Sequence, residues 1–279
     1  MKGRTLFASL ALSACFATGV YADITGDAVY VGPAPKLKVI NMAAVPDCAK
    51  HHTAPVTEET IVVGAKNELK NVVVYIDGQN LGGEKPATTV TLDQVGCIYT
   101  PHVVAMMTGQ KLEVKNSDTF LHNVHGLSKD NGEYNFPQAG GANNDMTDKA
   151  NKVPERYKVK CDVHPWMNAW IHVFDHPYFA VTGDDGKFTI STKGLKNGQY
   201  NLNAWSEKLG TQTVKIDVKN GNAEPIKLEF KPKAAAIEPA VKEVFVSVPK
   251  PADEVCEHCD KDAAKTKTGT PVVVAAPAK

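Results

Sequence analysis

Apolar and polar residues alternate with a period of two along most of the chain. Val72-Val73-Val74-Tyr75-Ile76 is a β-branched run closed by Asp77-Gly78. Leu112-Glu113-Val114-Lys115 alternates and stops at Asn116-Ser117-Asp118. Tyr157-Lys158-Val159-Lys160-Cys161, Val214-Lys215-Ile216-Asp217-Val218 and Ile226-Lys227-Leu228-Glu229-Phe230 alternate too. Such runs predict half-buried strands. Asn220-Gly221, between the last two, predicts a hairpin turn. Asp184-Asp185-Gly186 and Asn197-Gly198 predict further turns. No long stretch keeps a 3.6-residue apolar period, so helices contribute little. The pattern predicts an all-β protein built from sandwiches or Greek-key barrels.

The chain divides by composition. Residues 1–22 begin with Lys2 and Arg4, run apolar over 6–17 and end Val20-Tyr21-Ala22, which is the order of a secretory signal peptide. The expected location is therefore periplasmic or secreted. Leu12-Ser13-Ala14-Cys15 competes with that reading: it has the form of a bacterial lipobox, and lipidation at Cys15 would anchor the protein. Residues 23–177 hold the first strand set with the Cys, His and Met clusters. Residues 178–232 form a second strand set. Residues 233–279 are rich in Ala, Pro and Lys, a composition that predicts a disordered tail.

Charge narrows the function classes. Among 279 residues, 31 Lys and Arg balance 31 Asp and Glu, against a uniformly basic nucleic-acid binder. Beyond the N-terminus no apolar run approaches the ~18–20 residues that span a bilayer.

Of the six cysteines, Cys48 and Cys97 are expected to form a disulfide in an oxidising compartment. The alternative, Cys48 joining His51 and His52 at a metal, lacks a fourth donor nearby. Cys256 and Cys259 form a Cys-x-x-Cys in the tail, read as a local disulfide or a metal-capture site. Cys161 is left without a partner, and its surroundings supply a chemical reason.

Cys161-Asp162-Val163-His164-Pro165-Trp166-Met167 brings thiol, imidazole and thioether together in one short segment, and Leu121-His122-Asn123-Val124-His125 lies upstream. Two His, one Cys and a weak Met donor make the set of a blue-copper centre. Cys161 ends a predicted strand, and a tight loop stiffened by Pro165 returns His164 and Met167 toward the same ion. His122 comes from another strand end and would pin a second segment to the metal.

Cys-x-x-His-Pro-aromatic-Met and His-Asn-Val-His resemble amicyanin and the plastocyanin-like cupredoxins. The resemblance covers roughly residues 100–175 and implies a cupredoxin-like Greek-key sandwich holding one type 1 copper. It implies His122, Cys161, His164 and Met167 as metal ligands. It also implies that Asn123 ties the two ligand loops together and that His125 is a neighbour, not a ligand. Trp166 is the candidate for a docking patch beside His164. The expected function is a single-electron carrier, not an enzyme, meeting redox partners transiently in the periplasm. Copper storage or delivery is the alternative, as is a secreted carbohydrate- or partner-binding protein whose cupredoxin fold is structural. Two features depart from the family pattern: a long segment over 23–101 precedes the recognisable part, and 138–156 reads as a polar loop.

Phe179-Ala180-Val181, Asp185-Gly186-Lys187-Phe188 and Gly198-Gln199-Tyr200 resemble the carboxypeptidase regulatory-like modules, small transthyretin-like β-sandwiches. The resemblance implies a supporting role for residues 178–232, with sugar or partner binding as the alternative.

Overall fold

The computed structural model describes residues 23–232. The expected signal over 1–22 with Cys15, and the tail from 233 with Cys256 and Cys259, lie outside the described residues. The chain runs through β1 (Asp23–Tyr30), α1 (Pro46–Lys50), β2 (Val62–Val63), β3 (Leu69–Lys70), β4 (Val73–Ile76), β5 (Val90–Val95) and β6 (Ile98–Thr100). It continues through β7 (Val103–Met107), β8 (Leu112–Asn116), β9 (His122–Gly126), β10 (Tyr134–Gln138), β11 (Asn143–Asp145), α2 (Thr147–Ala150) and β12 (Glu155–Lys160). The last strands are β13 (Asn168–Phe174), β14 (Phe179–Val181), β15 (Lys187–Ser191), β16 (Gly198–Ser206), β17 (Gly210–Val218) and β18 (Ile226–Phe230). The protein is all-β, as its alternation requires. Among the described residues no helix is long and apolar enough to cross a membrane.

Two sheets enclose the first core. One has the order β10-β9-β12-β13-β7, the other β11-β8-β5-β6. Leu92, Leu112 and Val114 from one sheet meet Val124, Val159 and Ile171 from the other, all fully buried. The polar stretch 138–156, expected to be a loop, is largely ordered. Its β11 pairs with β8, and α2 buries Ala150 against this core.

The second core lies between the sheets β15-β1-β18 and β14-β4-β16-β17. Ile24, Phe188 and Leu228 face Val74, Ile76 and Leu202 across it. This corrects the expected division at residue 177. β1 pairs with β15 and β18, and β4 pairs with β14 and β16, so the second sandwich needs strands from both ends of the described chain. The first sandwich is inserted between β4 and β14, which are hydrogen-bonded neighbours. Alternation specifies which face of a strand is buried but not which strand it pairs with.

The Asn220-Gly221 signal fails for a related reason. The turn forms, with Lys219 and Asn222 exchanging backbone hydrogen bonds at 2.8 and 3.0 Å. Its flanking strands then part: β17 pairs with β16, and β18 pairs in parallel with β1. The turn crosses between layers instead of closing a hairpin.

A small third cluster joins the sandwiches through Val73, Val103 and Trp205. Trp170 packs edge-on against Trp205, at 5.3 Å between ring centroids, and His172 lies 4.5 Å from the same indole. Beside them, both ring nitrogens of His102 face acceptors: Glu207 Oε2 at 2.6 Å and the Asn168 carbonyl at 3.2 Å. His102 and His172 thus pack and bond within this joint.

Candidate metal centre

His122 opens β9, Cys161 directly follows β12, and Met167 directly precedes β13. The segment between β12 and β13 is a tight return. The Met167 amide donates to the His164 carbonyl at 2.9 Å, and the Cys161 amide donates to the Met167 carbonyl at 3.1 Å. This turn places the His164 ring beside the strand end that carries Cys161. The Cys161 Sγ lies 3.7 Å from His164 Nδ1, which lies 3.0 Å from His122 Nδ1. Donor atoms of His122, Cys161 and His164 all fall within 4.8 Å of one another, and all three residues are buried. Met167 is buried in the same core as Cys161. Cys161 is the one free thiol among the described residues.

The orientation of His122 has a cause that sequence reading missed. Asp118 Oδ2 lies 2.7 Å from His122 Nε2. A carboxylate can only accept, so Nε2 carries the proton and Nδ1 presents its lone pair. That lone pair faces His164 Nδ1, whose environment disfavours protonation: burial first, then the neighbouring His122, lower its pKa, with Asp118 opposing. Two imidazole nitrogens and a thiol converge on one buried point, an arrangement that a soft cation would satisfy. The donor set fits copper, because thiolate and imidazole together suit both of its oxidation states. A structural zinc site would ordinarily take four strong donors.

Asp118 is itself gripped. β5 and β6 are joined by the two-residue turn Gly96-Cys97, with φ of 60° and 59°. Such a turn suits the twist of a hairpin, but its left-handed backbone is costly for a residue with a side chain. Asp118 compensates: its carboxylate accepts from the Gly96 amide at 2.7 Å and the Cys97 amide at 2.8 Å. Burial pushes the Asp118 carboxyl up, but the Cys97 amide, His122 and the Gly96 amide outweigh it and hold its pKa below the usual carboxylate range. The expected Cys48–Cys97 disulfide is present and ties this turn to α1.

Asn123 does link the two loops: its Oδ1 accepts the Asp162 amide at 3.0 Å. His125 lies apart from the cluster. It contacts Glu133 at 2.6 Å and Asp162 at 2.8 Å near the surface. Trp166 is not an open patch. It is half-buried, stands 5.4 Å from the His164 ring and donates its indole N–H to the Cys97 carbonyl at 3.1 Å. Exposed apolar side chains lie instead at Leu121 and Val163, 52% and 50% accessible, each next to a histidine of the cluster. The sequence signal for Asp118 was the Asp-x-x-x-His spacing, which reads more readily as the end of β8.

No family model and no curated protein matches the chain. Solved structures match parts of it. A purple cupredoxin from Nitrosopumilus maritimus is 19% identical, over 30% of this chain and 98% of that one, with a TM-score of 0.26. A copper-containing nitrite reductase from Thermus scotoductus SA-01 is 20% identical, over 53% of this chain and 28% of the reductase, with a TM-score of 0.29. A reduced amicyanin variant is 17% identical, over 36% of this chain and 97% of that one, with a TM-score of 0.27. The class is an all-β protein of two sandwiches, the first of which carries a buried His-Cys-His cluster. None of these three matches bears on a carboxypeptidase regulatory-like module.

Proposed function

We propose that the chain is an exported copper protein that carries single electrons between periplasmic partners. One observation carries the reading: two imidazole Nδ1 atoms stand 3.0 Å apart, with the only free thiol of the described residues 3.7 Å from one of them. His122, Cys161 and His164 would hold one type 1 copper, with the Met167 thioether as a weak fourth donor. Copper supplies a one-electron couple when bound. Cys161 gives up its proton to bind as thiolate. Asp118 holds the His122 ring in the binding tautomer, and Asn123 fixes the Cys161 loop against β9. Ligands on adjacent strands of one sheet, with His122 braced through Asp118 by the β5–β6 turn of the other, would shift little between oxidation states, which keeps electron transfer fast.

Leu121 and Val163 form the apolar contact for a partner, of the small kind that suits brief encounters. No catalytic role is assigned, and the second sandwich supports the first. Copper delivery is the second reading, favoured by the sulfur pair beside His164.

The test is the visible spectrum of the purified mature chain with one equivalent of Cu(II). An intense sulfur-to-copper band is expected, absent from Cys161→Ser while the far-ultraviolet circular dichroism stays unchanged. A wild type with no such band, or a Cys161→Ser variant that keeps it, overturns the reading.

A further inference from the structure

The Cys48–Cys97 disulfide does not sit at a remote edge of the fold. Its two sulfurs and a ring nitrogen of His164 all lie within 4.8 Å of one another. The Cys97 sulfur also falls within that distance of an Asp118 oxygen and a His122 nitrogen. Cys48 and Cys97 are fully buried, and His164 is 5% exposed. A disulfide sulfur is a poor metal donor, whereas a thiolate is a strong, soft one. The oxidation state of this pair therefore decides whether the same small volume offers one donor set or two.

We propose that reducing Cys48–Cys97 opens a second, thiolate-based Cu(I) site made of Cys48, Cys97 and His164. The inference rests on the copper reading above, because the two sites share His164. The step balances with a dithiol reductant. The dithiol closes to its own disulfide and passes two electrons and two protons to the protein pair, giving two thiols. Cu(I) then displaces the thiol protons to solvent and keeps its oxidation state.

Two sulfurs and one nitrogen suit three-coordinate Cu(I) better than zinc, which would ask for a fourth strong donor. Asp118 is not free to be that donor, being committed to the Gly96 and Cys97 amides and to His122. Within α1 only Cys48 is buried, so little apolar contact in that helix opposes the local opening that admits a reductant. Because Cu(I) binds only the reduced pair, copper and reductant reinforce each other by linkage. Copper would thus be held in a thiolate site under reducing conditions and in the Cys161 site under oxidising ones.

The test uses the full chain with Cys15→Ser, Cys161→Ser, Cys256→Ser and Cys259→Ser, which leaves Cys48 and Cys97 as the only cysteines. Cu(I) is titrated against a chromophoric chelator before and after dithiol treatment, with the dithiol removed. The oxidised form is expected to lose to the chelator. The reduced form is expected to take one equivalent, with two sulfurs in its copper X-ray absorption spectrum. Adding His164→Ala should weaken that binding about tenfold or more, since losing even an outer partner of a ligand costs about 10–100-fold. No gain on reduction, or a gain that survives Cys97→Ser, overturns the proposal.

Since these replacements could disturb folding, the wild type supplies a second readout. Its reduced form is alkylated with iodoacetamide, with and without Cu(I), and mapped by mass spectrometry. Cu(I) should protect Cys48 and Cys97 together, and equal labelling with and without Cu(I) counts against the site. The visible band of the oxidised wild type with Cu(II) reports on the electron-carrier reading alone, so the two can fail separately.

Discussion

The two sandwiches are built from the same alternating strands, yet they bury different chemistry. The second encloses hydrocarbon. Thr182 is buried there, and it serves the backbone, accepting from the Val72 amide at 3.0 Å and donating to the Leu69 carbonyl at 2.7 Å. The first buries a connected polar chain. Gln94 bonds Gln138, and Asn116 donates to the Gln138 and Phe120 carbonyls. Asn116 Oδ1 accepts from the Asp118 amide, Asp118 holds His122, and His122 faces His164. Burying polar groups costs free energy unless each is bonded, so such a network is not the cheapest way to build a sandwich. One sandwich buries mainly hydrocarbon, the other a polar network that fixes His122 beside His164.

That contrast can be broken most forcefully in the second core. Leu202→Ala removes a fully buried side chain and should cost about 2–5 kcal/mol in denaturant unfolding. The copper bound per folded chain and the visible band should not change. A lost band would show that the two cores are not separable in function.

The converse change is Asp118→Ala. It frees the His122 ring and releases the Gly96-Cys97 turn, and should weaken copper binding about 10–100-fold by competition titration. An affinity equal to that of the wild type would show that the carboxylate is only a turn anchor.

Acid sharpens the comparison at the joint between the sandwiches. Burial, and then the nearby Arg156 charge, hold the His172 pKa well below its usual value. The folded protein thus keeps this ring neutral, whereas the unfolded chain takes up a proton below about pH 6.5. Stability present above that pH is lost as pH falls. His172→Gln should flatten the acid side of the stability profile, and an unchanged slope between about pH 7 and 5 would exclude His172 as a source.

The smallest effect on folding belongs to the exposed apolar pair Leu121 and Val163. Leu121→Lys with Val163→Lys should alter stability by no more than about 0.5 kcal/mol, as exposed replacements do. The visible band should stay in place while electron exchange with a partner slows in stopped-flow mixing. Unchanged exchange would move the docking surface elsewhere.

The His122, Cys161 and His164 cluster was legible in the sequence because its side chains are chemically distinctive. Cys161, His164 and Met167 crowd one short segment, and Cys161 had no evident disulfide partner. Asp118 was not legible, because an acid after Asn116-Ser117 reads as the end of a strand. Its role depends on a turn some twenty residues earlier that only folding brings close. The strands themselves were legible, but their partners were not. Nothing in the alternation of β1 says that it pairs with β15 and β18, because pairing is decided by the whole core. Leu121 and Val163 drew no notice as a surface, since single apolar residues in a sequence carry no mark of exposure.

One copper ion is proposed to sit between His122, Cys161 and His164. Copper-edge X-ray absorption of the Cu(II)-loaded, oxidised protein tests it most directly. Two imidazole nitrogens and one short copper–sulfur bond are expected, the sulfur vanishing in Cys161→Ser. A copper shell of nitrogen and oxygen alone would contradict it.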